Sequence, residues 1–380
     1  MRAFQLKGWG ALALGLTLSA CAGERQTTTQ TSPPWRATMD WEFGLTDSTL
    51  LGSVQAVAVS ESGRVVIADR IAAGLMVLHP EGRLERELGR RGEGPGEFGA
   101  APVAVDFDRD GHVWAVDASD RTLVRYSRDG ALIGETRLGV RTGEKLQPLH
   151  AGVVLRTPPV ASAPEPWDGL VAAALEGEPR RVLTFDRPPV PVATSDGRPR
   201  SPLLAPIPVW AVNAEGRVAF AYSTDDRVQV TDPDGVVAAS VPTGIPVTEP
   251  TSEDVVALHD LLDQRAELGR IPRSFLPLLE IAIPERLPAF LGMAWGPGET
   301  LWLQAARSPS ELDPALDSFE AFGGQGGAEW VVIDLATGAT SRVDLGVPLW
   351  PASLRGPYLV GVARDGLGVE RIVRFTLSRP

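Results

Sequence analysis

Apolar and polar positions alternate in short runs along most of the chain, and two stretches repeat the same order of runs. Residues 57–82 align without a gap with residues 105–130, so that Gly63 and Asp69 each have a counterpart 48 residues later. Alternation with a period of two is typical of half-buried β-strands, and polar turns that end in Gly favour tight hairpins. Each copy therefore predicts four antiparallel strands, which we call a to d.

The same pattern recurs to the end of the chain, and this predicts an all-β fold built of stacked units. One four-stranded sheet cannot bury both of its faces alone, and radial stacking of such sheets gives a β-propeller. Further copies of the unit lie at residues 145–185 (degenerate), 210–241, 291–345 and 349–377. The last copy has only three strands, and residues 35–43 can supply the fourth. We therefore expect a six-bladed propeller whose last blade is closed by an N-terminal strand.

The linker between the first two copies carries a resemblance to a known family. It reads GRRGEGPGEF at residues 89–98. Together with the repeat pattern, it resembles the bacterial six-bladed propeller lipoproteins that are related to NHL-repeat proteins. The resemblance covers residues 35–380 and implies a single propeller domain; the third copy and the segment near residue 260 depart from the pattern.

The N-terminus has the features of an export signal. Residues 1–20 combine a positive start with a short apolar segment, and Leu18-Ser19-Ala20-Cys21 is similar to a bacterial lipobox. This predicts lipid attachment at Cys21 and a flexible tether at residues 21–34. The alternative is an ordinary signal peptide that is cut after Ala22. By analogy with the family, the residue after Cys21 implies anchoring in the outer membrane, on either of its sides.

Charge and cysteine content exclude some functions. The formal net charge is −12, and no basic run is present. We therefore expect no nucleic-acid partner and membrane contact only through the lipid anchor. The single cysteine leaves no disulfides. We expect a monomer that binds a protein, peptide or glycan.

Residues 251–285 differ from the blades around them. Val255, Leu258 and Leu262 follow helical spacing, Ser252 with Asp254 is an N-cap signal, and Gly269 is a stop. A second helical segment is predicted at residues 274–283. The insertion either packs its apolar stripe on the propeller or acts as a lid or partner-docking helix.

Strand polarity places the b–c turns and the d–a linkers on one side of the ring, which we call the linker face. Loops on a rigid scaffold are where binding residues tend to lie. The candidate ligand residues on this face are Arg90, Arg91, Glu93, Glu97, Asp117, Asp120, Arg121, Asp225 and Asp226. Asp69 and Asp117 occupy equivalent positions, and this repetition also fits a structural role in capping their own turns.

The sequence offers little catalytic or metal chemistry. Asp106, Asp108 and Asp110 match the start of a calcium loop, although no helices flank them. The four histidines do not converge in the predicted fold, and no GxSxG motif is present. We expect no other cofactor.

These features leave three functional hypotheses. The leading one is a membrane-tethered, non-catalytic binding or scaffold module. The second is a metal-assisted hydrolase or lyase, similar to lactonase propellers, that would use Asp69, Asp117 and Asp225 at the channel mouth. The third is a passive structural or sensory module that depends on the helical insertion.

Overall fold

The computed structural model describes most of the predicted propeller. It covers residues 35–45, 50–117, 119, 121–140, 142–143, 145–158, 167–186, 192–193, 199–200, 204–269, 271–274, 284–314 and 325–379. The predicted signal segment, Cys21, the tether and Asp120 lie outside these residues. Within them, no helix has the length and apolar character that crossing a membrane requires.

The strands form six four-stranded antiparallel sheets, as the repeat predicts. The first strand of the chain is β1 (Arg36–Phe43). Blade 1 contains β2 (Val54–Val59), β3 (Val65–Asp69), β4 (Gly74–Leu78) and β5 (Leu84–Leu88). Blade 2 contains β6 (Pro102–Phe107), β7 (Val113–Asp117), β8 (Thr122–Tyr126) and β9 (Leu132–Arg137). Blade 3 contains β10 (Leu146–Leu149), β11 (Gly152–Thr157), β12 (Gly169–Ala173) and β13 (Arg180–Thr184).

A short hairpin separates the two halves of the ring. It consists of β14 (Val192–Ala193) and β15 (Pro199–Arg200) and was not predicted. Blade 4 contains β16 (Pro208–Val212), β17 (Val218–Tyr222), β18 (Arg227–Thr231) and β19 (Val237–Pro242). Blade 5 contains β20 (Phe290–Gly296), β21 (Thr300–Ala306), β22 (Gly326–Asp334) and β23 (Thr340–Asp344). Blade 6 contains β24 (Ala352–Arg355), β25 (Tyr358–Arg364), β26 (Glu370–Ser378) and the N-terminal β1.

The N-terminal strand closes the last blade, which confirms the predicted closure. β1 pairs antiparallel with β26, from Arg36 opposite Ser378 to Phe43 opposite Ile372. Beside it, the ring of Trp35 meets that of Trp302 edge-on at 5.3 Å. Because β1 is the outer strand of blade 6, its hydrogen bonds join the two ends of the chain and complete the ring.

The core consists of apolar layers between the blades. Each of the six interfaces between neighbouring blades holds one cluster of buried apolar side chains. The a strands of neighbouring blades contact one another around the central channel. Apolar residues, mostly on the a, b and c strands, thus bury the faces of each sheet between its neighbours, which a single blade could not do alone.

Glycine at one repeated position shapes the a–b turns. Gly63, Gly111 and Gly216 have φ values of 82°, 78° and 87°. The backbone N–H of each donates to the carbonyl oxygen three residues earlier, at 2.9–3.1 Å. Since the left-handed region disfavours residues with a Cβ atom, Gly recurs there at blade spacing. Blade 3 instead joins β10 to β11 through only two residues, so it lacks this glycine and is harder to recognise in the sequence.

The insertion between blades 4 and 5 contains one described helix, α1 (Ser252–Glu267). Its buried leucines join Leu204, Leu287 and Leu312 in a separate apolar cluster, as the packing interpretation predicts. The N-cap is Thr251 rather than the predicted Ser252. Gly269 follows the helix with a φ of 69°, as the stop signal predicts. Apart from Ser274, the predicted second helical segment lies outside the described residues.

Candidate functional site

The linker face is held together by contacts between b–c turns and the linkers that precede the a strands. In blade 1, the Asp69 carboxylate accepts hydrogen bonds from the N–H groups of Gly52 and Ser53, at 2.6 and 3.4 Å. Its other oxygen accepts from the N–H groups of Ile71 and Ala72 in its own turn. This aspartate therefore joins a turn to a linker.

Asp117 does the same in blade 2. One oxygen accepts from the N–H groups of Gly99 and Ala100, at 2.6 and 3.3 Å, and the other from the N–H and hydroxyl of Ser119. The side chain is buried. Both carboxylates thus use their oxygens on neighbouring backbone groups, which is the contact pattern expected of a structural role.

The linker at residues 89–98 is folded on itself around Glu97. The carboxylate of Glu97 accepts from the N–H of Gly94 at 2.9 Å and from Arg90 at 2.7 Å. These contacts, with the Gly94 N–H first and Arg90 second, lower the pKa of Glu97. Phe98 anchors the end of the linker in the core, and Arg91 and Glu93 are exposed. The linker therefore presents charged side chains on a fixed loop.

The remaining candidates lie on the same face but not in one group. Arg121 is exposed, with a φ of 61°. Asp225 accepts from the N–H of Tyr222 at 3.0 Å, and the side chain of Asp226 is exposed. Blade 3 separates the blade 2 candidates from those of blade 4, so the sequence identified a surface and not a single pocket.

An open cleft on the linker face, between blades 5 and 6, was not predicted from the sequence. Its cavity volume is about 50 Å³, and its walls include Arg307, Asp313, Gln325, Trp350 and Arg364. These residues come from the b–c loop of blade 5, the linker into blade 6 and the end of β25. Strand polarity placed all three segments on this face, but no local motif indicated that they would form a cleft.

Charged side chains in or beside the a strands connect blades that are not all neighbours. The guanidinium of Arg355 donates to the Asp106 carboxylate at 2.9 Å and also to the carbonyl oxygen of Phe107. The ammonium of Lys145 donates to the carbonyl oxygens of Trp210 and Met293, at 2.7 and 2.9 Å. These contacts connect blade 6 to blade 2 and blade 3 to blades 4 and 5, so they join blades that are up to two positions apart in the ring.

Both charged groups in the channel titrate abnormally. Burial raises the pKa of Asp106 to about 6, although the positive charges of Arg355 and Lys145 oppose the shift. Burial also lowers the pKa of Lys145 to about 8, against the attraction of Asp106. Both shifts favour the neutral form of a group that water solvates poorly.

The predicted calcium residues do not form one site. Asp106 faces Arg355, whereas Asp108, Asp110 and His112 form the group with close ligand atoms. Arg125 donates to Asp108 at 2.6 Å and lies 2.7 Å from the Nδ1 atom of His112. Burial disfavours the charged form of Asp108, but bonds from Arg125, the His112 N–H and Trp114 together lower its pKa. The guanidinium already supplies the positive charge that a cation would bring.

Comparison with known proteins agrees with the fold. Residues 45–149 match the family model DUF5128, which is described as a 6-bladed beta-propeller. A member of the DUF4221 family from Bacteroides vulgatus has a TM-score of 0.57 at 11% identity, covering 92% of this chain and 99% of the other. The chain is a six-bladed β-propeller.

Two further solved structures are similar at lower scores. The PQQ-bound aldose sugar dehydrogenase from Streptomyces coelicolor has a TM-score of 0.46 at 14% identity, with 91% of this propeller and 100% of that chain covered. A gluconolactonase from Xanthomonas campestris has a TM-score of 0.43 at 12% identity, with 92% and 96% covered. No curated protein matches the sequence. At these identities the likeness concerns the fold and not the ligand.

Proposed function

We propose that this propeller is an exported, lipid-anchored, non-catalytic binding module that presents its linker face to a partner. The observation that carries the proposal is the cleft between blades 5 and 6, where Arg307 directly follows β21 and Trp350 lies in the linker before β24, both half-buried on this face. The fixed, charged linker at residues 89–98 lies on the same face. A rigid scaffold with polar groups directed at solvent is suited to recognition.

Strand direction supports this orientation. β1 runs toward the linker face, because its last residue, Phe43, pairs with Ile372 beside the b–c turn of blade 6. The chain therefore enters the propeller on the opposite face. A tether at residues 21–34 spans at most about 50 Å, at about 3.6 Å per residue. With lipid on Cys21, the opposite face would lie nearer the membrane and the linker face would be free to meet a partner.

Lipid anchoring can be tested separately from binding. We expect the protein with Cys21→Ser to leave the membrane fraction and appear in the soluble periplasmic or culture fraction. Wild-type protein should remain with the outer membrane after separation of the two membranes on a density gradient. Wild-type protein that fractionates as soluble material would exclude the anchor and leave the binding role to be judged on its own test.

Site-specific crosslinking in intact cells tests the binding role. A photoreactive amino acid at Glu93 samples the linker face, and the same group at Glu81, an exposed residue of the c–d turn in blade 1, samples the opposite face. We expect a discrete crosslinked species from Glu93 that is absent from Glu81. Equal labelling from both positions, or none from Glu93, would contradict the proposal.

The competing hydrolase or lyase hypothesis has weaker support. Two of its three carboxylates, Asp69 and Asp117, already accept hydrogen bonds from backbone groups at both oxygens. A metal bound there would displace those donors. Metal analysis of protein purified without chelators, together with a lactone hydrolysis assay, would favour this hypothesis if it found stoichiometric metal and turnover.

A further inference from the structure

Exposed aliphatic side chains gather at one place on the linker face, where blade 6 meets blade 1. Thirteen large apolar side chains are exposed in the described part of the chain, and eight of them lie on or beside α1 and the outer strands. The other five share this place and are between 42% and 88% exposed: Leu45, Leu50, Ile71, Leu367 and Val369. We call these five side chains the aliphatic patch.

Three neighbouring segments carry the patch, and they contact one another. The linker from β1 to β2 carries its first two residues, the b–c turn of blade 1 carries Ile71, and the b–c turn of blade 6 carries the last two. The backbone of Gly44 lies against the carbonyl group of Glu370, which follows the blade 6 turn. Gly52 lies so close to the Ile71 side chain that a Cβ atom there would clash with it. The linker therefore joins the two turns into one continuous surface.

Aspartate side chains hold both turns in place. The Asp365 carboxylate accepts hydrogen bonds from the N–H groups of Leu367 and Val369, at 2.9 and 3.0 Å. Asp69 likewise caps the blade 1 turn, and it binds the linker through the N–H of Gly52 at 2.6 Å. The apolar side chains are thus displayed on a preformed surface, so a partner that covers them has little backbone to order.

The size of the patch is that of a functional surface. Side chains of these types and exposures present on the order of 500 Å² of apolar surface, and the largest patch of a monomer, usually about 300–600 Å², is often functional. Two such patches in contact would bury on the order of 1,000 Å², which is the lower limit for a specific interface. A contact of this size suits a weak dimer.

The surroundings of the patch disfavour two other kinds of partner. In blade 6, Arg364 pairs with Glu370 at 2.7 Å and Arg371 pairs with Glu42 at 3.3 Å, so these charges compensate one another and do not select an ionic partner. A membrane is disfavoured because the protein has a net charge of −12 and its chain enters the propeller on the opposite face.

The two ends of the patch complement each other. Arg70 is exposed at the blade 1 end beside Ile71, and Asp365 lies at the blade 6 end beside Leu367. A two-fold axis through the linker between them exchanges the two ends. In such a dimer, Ile71 of one copy meets Leu367 of the other, and Arg70 meets Asp365. The patch therefore offers the apolar and the charged groups that its own copy needs.

We propose that the aliphatic patch is a docking surface for a second copy of this chain, in a two-fold symmetric dimer. The inference goes beyond the proposed function and replaces the monomer expected from the sequence. Because the contact area is small, the dimer is weak and the protein is monomeric when dilute.

Sedimentation equilibrium on the full exported chain with Cys21→Ser, which has no other cysteine, measures the association. About 0.5 M NaCl screens the repulsion between two chains of like net charge. Under these conditions we expect a monomer–dimer equilibrium with a dissociation constant in the high micromolar range. Leu367→Ser and Ile71→Ser should each weaken it at least about tenfold, because the symmetric contact loses each side chain twice. Arg70→Glu should weaken it as well, because it places a carboxylate opposite Asp365.

Cysteine pairs test the symmetry of the contact. Ile71→Cys and Leu367→Cys proteins, mixed under oxidising conditions, should form a mixed disulfide dimer faster than either forms a disulfide with itself. The reason is that the two-fold axis brings these two positions together. Val237→Cys, at an exposed position of β19, should not crosslink with Leu367→Cys at a comparable rate. Equal rates for all pairs would contradict the two-fold contact.

Matched variants control for general effects of substitution. Val237→Ser and Leu132→Ser each remove an exposed apolar side chain from an outer strand. Both should dimerise as the parent protein does. Thermal unfolding identifies any misfolded variant, and Arg70→Glu, at an exposed position, keeps the test decisive if an apolar substitution prevents folding.

Three results would overturn the inference. They are the absence of a dimer at about 0.5 mM protein, a dimer that survives both patch substitutions, and binding to neutral phospholipid vesicles that the same substitutions abolish. Each would leave the proposed function intact, because crosslinking from Glu93 to a different protein is measured independently of self-association.

Discussion

At the residue scale, single aspartates join the b–c turns to the linkers on the linker face. Asp69 and Asp117 each end a b strand, and each accepts hydrogen bonds from its own turn and from the preceding linker. Because the same contacts recur in two blades, they serve the blade repeat and not a unique ligand. Elsewhere on the same face, the side chains of Glu93 and Asp226 are exposed to solvent.

Replacing Asp117 should destabilise the fold. In Asp117→Ala, the N–H groups of Gly99, Ala100 and Ser119 lose their acceptor. The carboxylate of Asp117 is buried, and a hydrogen bond to a charged group contributes about 1.5–3 kcal/mol. Urea denaturation should show a loss of this size in the free energy of unfolding. Asp226→Ala, at an exposed position, should change it by less than about 0.5 kcal/mol. Equal effects from the two variants would contradict the structural role of Asp117.

The channel aspartate should make stability depend on pH. Its pKa is raised to about 6, above the ordinary value of 3.8, so the folded state retains a proton that the unfolded state has already released. The stabilising contribution of that proton is complete below the ordinary pKa and is lost as the pH rises through about 6. Compared with Asp106→Asn, wild type should therefore lose stability between about pH 4 and 6. The loss should be at most about 3 kcal/mol, since a shift of one pKa unit corresponds to about 1.36 kcal/mol.

Unfolding experiments at several pH values measure this difference. The difference in free energy of unfolding between wild type and Asp106→Asn should fall from pH 4 to 6 and then stay level up to about pH 7. Asp226→Asn provides the control, since it removes a carboxylate that is exposed on the linker face. A difference that does not change with pH, or one that rises, would show that Asp106 titrates normally.

At the scale of elements, the local sequence pattern was enough to predict the strands wherever the blade repeat is regular. The glycine of the a–b turn and the alternation of the strands predicted five blades directly and the third by spacing. Blade 3 was irregular because its two-residue turn needs no such glycine. The N-cap of α1 was assigned one residue too late, because Thr251 and Ser252 both have hydroxyl groups and only geometry distinguishes them.

The sites were far less predictable than the strands. Asp106 pairs with Arg355, which is 249 residues away, and the cleft combines a loop, a linker and the end of a strand. Neither arrangement leaves a local pattern in the sequence. Strand polarity did predict which loops share a face, because that follows from the order of the strands alone. It could not predict which side chains would remain without partners.

The capping box of α1 gives a prediction at this scale. The Thr251 hydroxyl accepts from the N–H of Asp254 at 3.2 Å, and the Asp254 carboxylate accepts from the N–H of Thr251 at 2.8 Å. Thr251→Ala should destabilise the helix by about 1 kcal/mol, which is a typical value for a lost N-cap. Hydrogen exchange should then be several-fold faster in the first turn of α1, whereas Ser252→Ala should leave it almost unchanged. Equal exchange in both variants would contradict the assigned cap.

At the scale of the whole molecule, closure of the ring depends on eight residues at one end of the chain. β1 covers the edge of β26. Trp35 and Phe43, beside and at the end of β1, complete the apolar layers on the two sides of blade 6. Asp40 adds an ion pair to Arg374 at 2.9 Å. Without these contacts, blade 6 has three strands and an exposed edge, and two interblade layers are incomplete.

A chain that begins at residue 44 should therefore lose far more stability than one that begins at residue 35. We expect the shorter chain to lose more than about 4 kcal/mol, the range of large core defects, and to self-associate through its open edge. A synthetic peptide of residues 35–44 should restore the monomer and the thermal midpoint by adding the missing strand, whereas a scrambled peptide should not. Calorimetry and sedimentation measure both effects. If the shorter chain stays monomeric and unfolds at the same temperature, β1 covers the ring without closing it.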